Sequence, residues 1–112
     1  MRYWTVEEAR GYLPRLRHLV EVVRSAATLS MVARANGRAR PPGDDPRAAL
    51  AELEAGDIVL RDARRGLVDF HAQGGDGVVY QLCYRLDEED LSWWHLPGEG
   101  FAGRKPLPRL DG

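Results

Sequence analysis

The sequence has 112 residues, 44% hydrophobic and 29% charged, which are the proportions of one soluble globular domain, 1–112. Its formal net charge is −1, which argues against a nucleic-acid partner. It contains no apolar run long enough to cross a bilayer, no signal-peptide core near Met1 and one cysteine, so we expect a cytoplasmic protein that does not bind membranes.

A capping box and an amphipathic seam predict a helix near the N-terminus. Thr5 can accept a hydrogen bond from the backbone of Glu8, whose side chain can return to the backbone of Thr5. Apolar residues then recur at steps of three and four, at Val6, Ala9, Leu13, Leu16, Val20, Val23 and Ala27. This seam is typical of a helix that packs on another helix.

Two residues predict a break within this seam. Pro14 has no N–H to donate and is tolerated best in the first turn of a helix. Gly11, just before it, can cap the end of a helix. We therefore predict a short helix over about residues 5–11 and a longer one over about residues 13–35.

A loop over residues 36–45, rich in proline, glycine and charge, leads to a second helical arm. Asp45-Pro46 is a typical helix start, and Gly56 a typical end, so we predict a helix over about residues 46–55. Leu50 and Leu53 should pack back on the seam. The first half, 1–56, is thus predicted to be a helical hairpin.

After Gly56 the pattern changes from helical periodicity to alternation. Strands are predicted over residues 58–62, 67–71 and 78–85, separated by a turn over 63–66 and a hairpin loop over 73–77. Short connections of this kind join antiparallel neighbours, so the sheet should be a three-stranded meander over residues 57–86.

Alternation along the second and third strands assigns their side chains to two faces. One face should carry the residues that pack on the helices, Val68, Phe70, Val78, Tyr80, Leu82 and Tyr84. The opposite face should be polar and carry Asp69, His71, Gln81, Cys83 and Arg85. The sequence therefore predicts one apolar and one polar side of the sheet, with Asp69 opposite or diagonal to Gln81 and Cys83.

The remaining residues, 87–112, are predicted to form an acidic turn followed by an irregular tail. The tail contains a stretch over residues 93–104 that combines two tryptophans, a histidine, three glycines and an arginine. It is the segment left to cover the polar side of the sheet. The predicted fold is α+β: an N-terminal helical hairpin, a three-stranded antiparallel meander and an irregular C-terminal tail.

Several short blocks of the chain resemble those of an uncharacterised bacterial family, domain of unknown function 2203. They are Thr5-Val-Glu-Glu-Ala9 with Leu13-Pro14, Gly66-Leu-Val-Asp-Phe70, Leu82-Cys83-Tyr84-Arg85, Trp94-His95, and Gly100-Phe-Ala-Gly-Arg104 with Pro106-Leu107. The resemblance implies a small cytoplasmic α+β protein and no defined activity. His71 stands where such sequences usually have proline, so its imidazole is not expected to serve the family as a whole.

One reading of the polar side is a site for a small polar or anionic ligand, which could extend to a small enzyme. Arg104 would present its guanidinium to a carboxylate or phosphate, and Asp69 and His95 would transfer protons. The other ligand-binding candidates are Arg85, Trp94, Cys83 and Gly103. A structural alternative is that Arg104 forms a buried ion pair with Asp69 and fixes the tail to the sheet.

Three further alternatives remain open. Asp69, Cys83 and His95, with His71 nearby, could bind a divalent metal ion such as zinc, although no metal-binding motif such as CxxC is present. The same acid, thiol and imidazole have the composition of a nucleophilic triad, but a cysteine in mid-strand lacks the usual activation. Alternatively, the chain could be an oligomeric interaction module, a homodimer through the long helix, whose seam from Val23 to Met31 a short second arm would leave uncovered.

Overall fold

The computed structural model describes residues 1–36 and 45–107, with side chains in the first range described as far as residue 26. The helices are α1, Val6–Asn36, and α2, Pro46–Ala55. The predicted loop lies almost wholly outside the described residues, as does the end of the tail from residue 108. No helix in the described part of the chain is long and apolar enough to span a membrane.

The predicted helix starts at Thr5 and Asp45 are confirmed. The Thr5 and Glu8 side chains each accept a hydrogen bond from the other's backbone N–H, both at 3.0 Å, which is the reciprocal pattern of a capping box. Asp45 caps α2 by accepting from the backbone N–H of Arg47 at 2.9 Å, and Gly56 caps its C-terminus.

The predicted break in the first helix is wrong, because α1 runs continuously through Pro14. Leu13 and Leu16, on either side of the proline, are both buried in the core, so one helix face packs without interruption. The proline removes one helical hydrogen bond, and burial of the seam offsets that loss. Gly11 is an exposed position inside the helix and not its end.

Within residues 45–107, the strands form one antiparallel sheet of five strands in sequence order. They are β1, Ile58–Asp62; β2, Leu67–Gln73; β3, Val79–Arg85; β4, Trp93–His95; and β5, Lys105–Pro106. The α+β class is confirmed, but the sheet is larger than the predicted three-stranded meander, which corresponds to β1, β2 and β3. The tail is not wholly irregular: it adds β4 and β5 at the β3 edge, and the segment between them, 96–104, reaches the polar side.

The apolar face of the sheet is largely as predicted. Val68, Phe70, Leu82 and Tyr84 are at most 1% exposed and belong to the core formed with the helices. Val78 is an exception, since it precedes β3 and is 44% exposed.

The contacts of α2 differ from the prediction in one residue. Leu53 is buried as expected, together with Ala49 one helical turn before it, whereas Leu50 is 45% exposed. Residues four apart lie on the same helix face, so Ala49 and Leu53 define the packed side. The seam proposed for a homodimer extends past residue 26, where side chains lie outside the described part, so that prediction stays untested.

Candidate functional site

The strand register brings an acid, a thiol and an imidazole together on the polar side of the sheet. Asp69 of β2 pairs with Cys83 of β3, and Gln81 of β3 pairs with His95 of β4. One ligand atom from each of Asp69, Cys83 and His95 can be chosen so that all lie within 4.8 Å of one another, and the three residues are buried. The predicted neighbourhood of Asp69, Gln81 and Cys83 is thus confirmed.

The hydrogen bonds of His95 define which ring nitrogen faces the cluster. Nδ1 lies 2.9 Å from the carbonyl oxygen of Leu96, and Nε2 lies 3.0 Å from Oδ1 of Asp69. A carbonyl oxygen can only accept, so Nδ1 carries the hydrogen. The other ring nitrogen, Nε2, faces the carboxylate of Asp69.

Arg61 of β1 contributes the cation of the cluster. Its Nε donates to Oδ2 of Asp69 at 2.8 Å, and its Nη2 lies 3.4 Å from Oε1 of Gln81. The sequence prediction did not include this residue among the site residues. Alternation along β1 could have found it. Ile58 and Leu60 face the core, so Arg61, the residue after Leu60, is expected to face the other side.

Cys83 is buried next to a carboxylate, and both features oppose ionisation of its thiol. Burial and the negative charge of Asp69 raise the pKa of Cys83 to about 12. An effective cysteine nucleophile needs a thiolate near neutral pH. These surroundings do not support the nucleophilic triad.

A cavity of about 280 Å³ opens beside the cluster, and Asp69, Cys83 and His95 contribute to its lining. Gly98, Gly100 and Phe101, from the segment between β4 and β5, line another part of it. Gly98 and Gly100 have φ values of 87° and 68°, which favour glycine, so the course of this segment depends on them. The C-terminal segment thus covers part of the polar side, as predicted.

The predicted ion pair between Asp69 and Arg104 is wrong. Arg104 instead pairs with Glu88, with Nη2 at 2.6 Å from Oε1 and 2.8 Å from Oε2. Its guanidinium also lies 4.9 Å from the ring of Trp93 and 4.5 Å from that of Phe101. This pair is nearly enclosed, with side chains 10% and 16% exposed.

Trp94 does not form a wall of the site. It lies on the core side of the sheet, with its ring 5.8 Å from that of Tyr80. Trp93 has the register of the polar side, because it pairs with Cys83. The tryptophan on the polar side is therefore Trp93, one residue before the one chosen from the sequence.

The remaining candidates are not among the residues that line the cavity. Arg85 pairs with Asp87 at 2.6 Å, and His71 pairs in register with Gln81. Gly103 permits close packing, since a Cβ there would lie 2.6 Å from Cβ of Glu99. The structure therefore retains Asp69, Cys83 and His95 as one cluster and assigns the other predicted residues elsewhere.

The fold and the cluster define a class: an α+β protein with a five-stranded antiparallel sheet and a buried acid–thiol–imidazole cluster open to a small cavity. The chain belongs to the family described as uncharacterized conserved protein (DUF2203), whose model matches residues 30–107. The match includes α2, the sheet and every residue of the cluster. No curated protein and no solved structure matches the chain.

Proposed function

We propose that the protein binds a divalent transition-metal ion through Asp69, Cys83 and His95. The observation that carries this proposal is that their oxygen, sulfur and nitrogen ligand atoms lie within 4.8 Å of one another on three adjacent strands. Thiolate and imidazole favour zinc and related ions over magnesium or calcium, which prefer oxygen ligands. Zinc is the ion that best suits this set.

The orientation of His95 supports the proposal. Its Nδ1–H donates to the carbonyl oxygen of Leu96, which is a common arrangement for histidines that bind metal through Nε2. When the hydrogen of a neutral His95 is on Nδ1, Nε2 and the carboxylate of Asp69 are both acceptors, and they lie 3.0 Å apart. Two acceptors at that distance need a proton or a metal ion between them.

The surroundings of Cys83 predict how such an ion would bind. Burial and Asp69 hold the thiol in its neutral form, and a bound cation reverses that preference because the ligand is the thiolate. Metal uptake should therefore release the thiol proton. Three protein ligands also leave one position of a tetrahedral ion open, which is the pattern of catalytic zinc sites and leaves room for an enzymatic role.

Titration with cobalt(II), a spectroscopic substitute for zinc, tests the proposal. We expect visible absorption of four-coordinate cobalt together with a thiolate-to-cobalt charge-transfer band. Since the chain has one cysteine, that band can come only from Cys83. Cys83→Ser should abolish it, and His95→Gln or Asp69→Asn should weaken binding by about tenfold or more.

His71→Ala is the matched control, because it removes an imidazole from the same face without touching the cavity. It should leave the cobalt spectrum and affinity unchanged. Cobalt binding without the thiolate band, or binding that survives Cys83→Ser, would contradict the proposal. Native mass spectrometry of the protein purified without added metal should show one retained ion per chain.

A second candidate is a site for a small polar ligand that needs no metal. The observation in its favour is the cavity itself, which is lined by the guanidinium of Arg61 and the amide of Gln81. Arg61 takes the role that the sequence analysis gave to Arg104. A metabolite retained in native mass spectra, with cobalt affinity absent, would favour this candidate, and the same spectra would report whether the chain forms the predicted homodimer.

A further inference from the structure

The charges around the proposed metal site do not cancel. A divalent ion balances the carboxylate of Asp69 and the thiolate of Cys83, and a neutral His95 adds nothing. Arg61, whose Nε lies 2.8 Å from Asp69, then leaves one positive charge in excess. The rest of the lining, Leu67, Gln81, Gly98, Gly100 and Phe101, has no ionisable side chain. The loaded cavity should therefore attract one negative charge.

Nearby ion pairs do not change this balance. Glu99 of the covering segment is paired with Lys105 at 2.6 Å, and Glu88 is paired with Arg104 at 2.6 Å. Each pair is neutral in sum. The excess charge at the cavity therefore belongs to Arg61.

Arg61 is also placed to present hydrogen-bond donors to a ligand. Its bonds to Asp69 and Gln81 use Nε and Nη2, while a guanidinium carries five N–H groups. The side chain lines the cavity and remains 47% exposed. A planar guanidinium matches the two oxygens of a carboxylate or phosphate better than an ammonium group does.

The size and the remaining lining limit the ligand. A volume of about 280 Å³ lies below the range of about 300–1,000 Å³ typical of pockets for drug-sized molecules. Phe101 and Leu67 add apolar surface to the same lining. These features favour a small oxyanion with at most a short apolar part.

We infer that the metal in this site takes a small oxyanion of the carboxylate or phosphate class at its open position, and that Arg61 selects its negative charge. The inference rests on the proposed metal site. It adds a substrate or co-ligand class and a specificity residue outside the three metal ligands.

The test uses the cobalt-saturated protein in chloride-free buffer, with acetate, inorganic phosphate and acetamide added separately. Acetamide has the shape of acetate without its charge. We expect acetate or phosphate to shift the visible cobalt bands in a saturable way, and acetamide to leave them unchanged. The relative affinities of acetate and phosphate then identify which oxyanion is preferred.

Arg61→Gln keeps most of the side-chain length and removes the charge, so it should weaken oxyanion affinity by about tenfold or more. Because the protein is saturated with cobalt, any change in metal affinity is separated from this readout. Arg64→Gln removes an exposed charge in the turn after β1 and should have no effect.

The outcomes separate the two proposals. Cobalt spectra with the thiolate band that no oxyanion changes would overturn this inference and leave the metal site standing. Equal responses to acetate and acetamide, or an unchanged affinity in Arg61→Gln, would also overturn it. Failure of cobalt to bind through Cys83 would contradict the proposed function and this inference together.

Discussion

The two sides of the sheet are equally buried at their centres but are built from different chemistry. Phe70 and Leu82 face the helices and are 0% exposed, while Asp69 and Cys83, their neighbours along the same strands, are 2% and 1% exposed on the other side. Alternation in β2 and β3 therefore produces a hydrophobic core and a polar cluster from consecutive residues.

The difference shows which side stabilises the fold. Apolar burial contributes about 25 cal/mol per Å² removed from water, and the helix side supplies it. Burial of ion pairs contributes little net stability, because desolvation offsets the attraction between the charges. The fold therefore gains most of its stability from the helix side, which leaves the polar cluster available for the binding role proposed above.

The polar side itself contains two kinds of ion pair, one enclosed and one with an exposed arginine. Glu88 and Arg104 form an enclosed pair between aromatic rings, whereas Asp69 and Arg61 line a cavity. The first pair has its partners within the protein and is expected to fix the tail. The second has room for a further ligand.

The largest predicted effect is on the helix side. Phe70→Ala should lower the free energy of unfolding by about 4 kcal/mol, because it removes a fully buried ring and leaves a cavity. Urea denaturation followed by circular dichroism measures this loss. Val78→Ala, at an apolar residue that is 44% exposed, is the control and should cost less than about 0.5 kcal/mol. Similar losses in both variants would contradict the assignment of the core face.

An intermediate effect is expected at the enclosed pair. Glu88→Gln leaves the guanidinium of Arg104 buried without a charge partner, and should cost about 3 kcal/mol of unfolding free energy. Glu89→Gln, at the exposed neighbour, should cost little. Arg104→Met in the Glu88→Gln background should recover part of the loss, because it removes the unpaired charge. If the double variant were the least stable of the set, the buried-charge explanation would be wrong.

The sequence was sufficient for the parts of the fold where local signals are long or strong. The capping box at Thr5 and the Asp45 cap depend on neighbouring residues alone, and both are confirmed. Seven residues in each of β2 and β3 give alternation enough positions to define the faces. The juxtaposition of Asp69 and Cys83 followed from that alternation and from the position of the hairpin.

The errors fall where local signals are short or several partners compete. β4 has three residues, too few for alternation to show which side chains face the core. The wrong tryptophan, Trp94, was therefore assigned to the site. Arg104 had several acids as possible partners, and the sequence pattern did not distinguish the nearby Glu88 from Asp69. Pro14 shows tertiary packing overriding a local preference, as the continuous α1 demonstrates.

The smallest predicted effect concerns an exposed ion cluster on the helix side, which provides a reference for the buried pairs. Arg15 forms a salt bridge with Glu52 at 2.6 Å, and Tyr12 donates a further hydrogen bond to the same carboxylate. The bonds to Arg15 and Tyr12 lower the pKa of Glu52 from 4.5 to about 2. The folded state thus binds the Glu52 proton more weakly than the unfolded chain does, so this contribution to stability is present above pH 4.5 and is lost as the pH falls towards 2.

Glu52→Gln should therefore reduce stability at neutral pH and have less effect near pH 2. The difference should be no more than about 1 kcal/mol, because the two side chains are 54% and 36% exposed and water screens exposed ion pairs. Urea denaturation of both proteins at several pH values measures it. Glu54→Gln, which removes an exposed carboxylate on the same helix, is the control and should change stability little at neutral pH. If Glu52→Gln cost as much as Glu88→Gln, burial would not be the property that separates the enclosed ion pair from the exposed one.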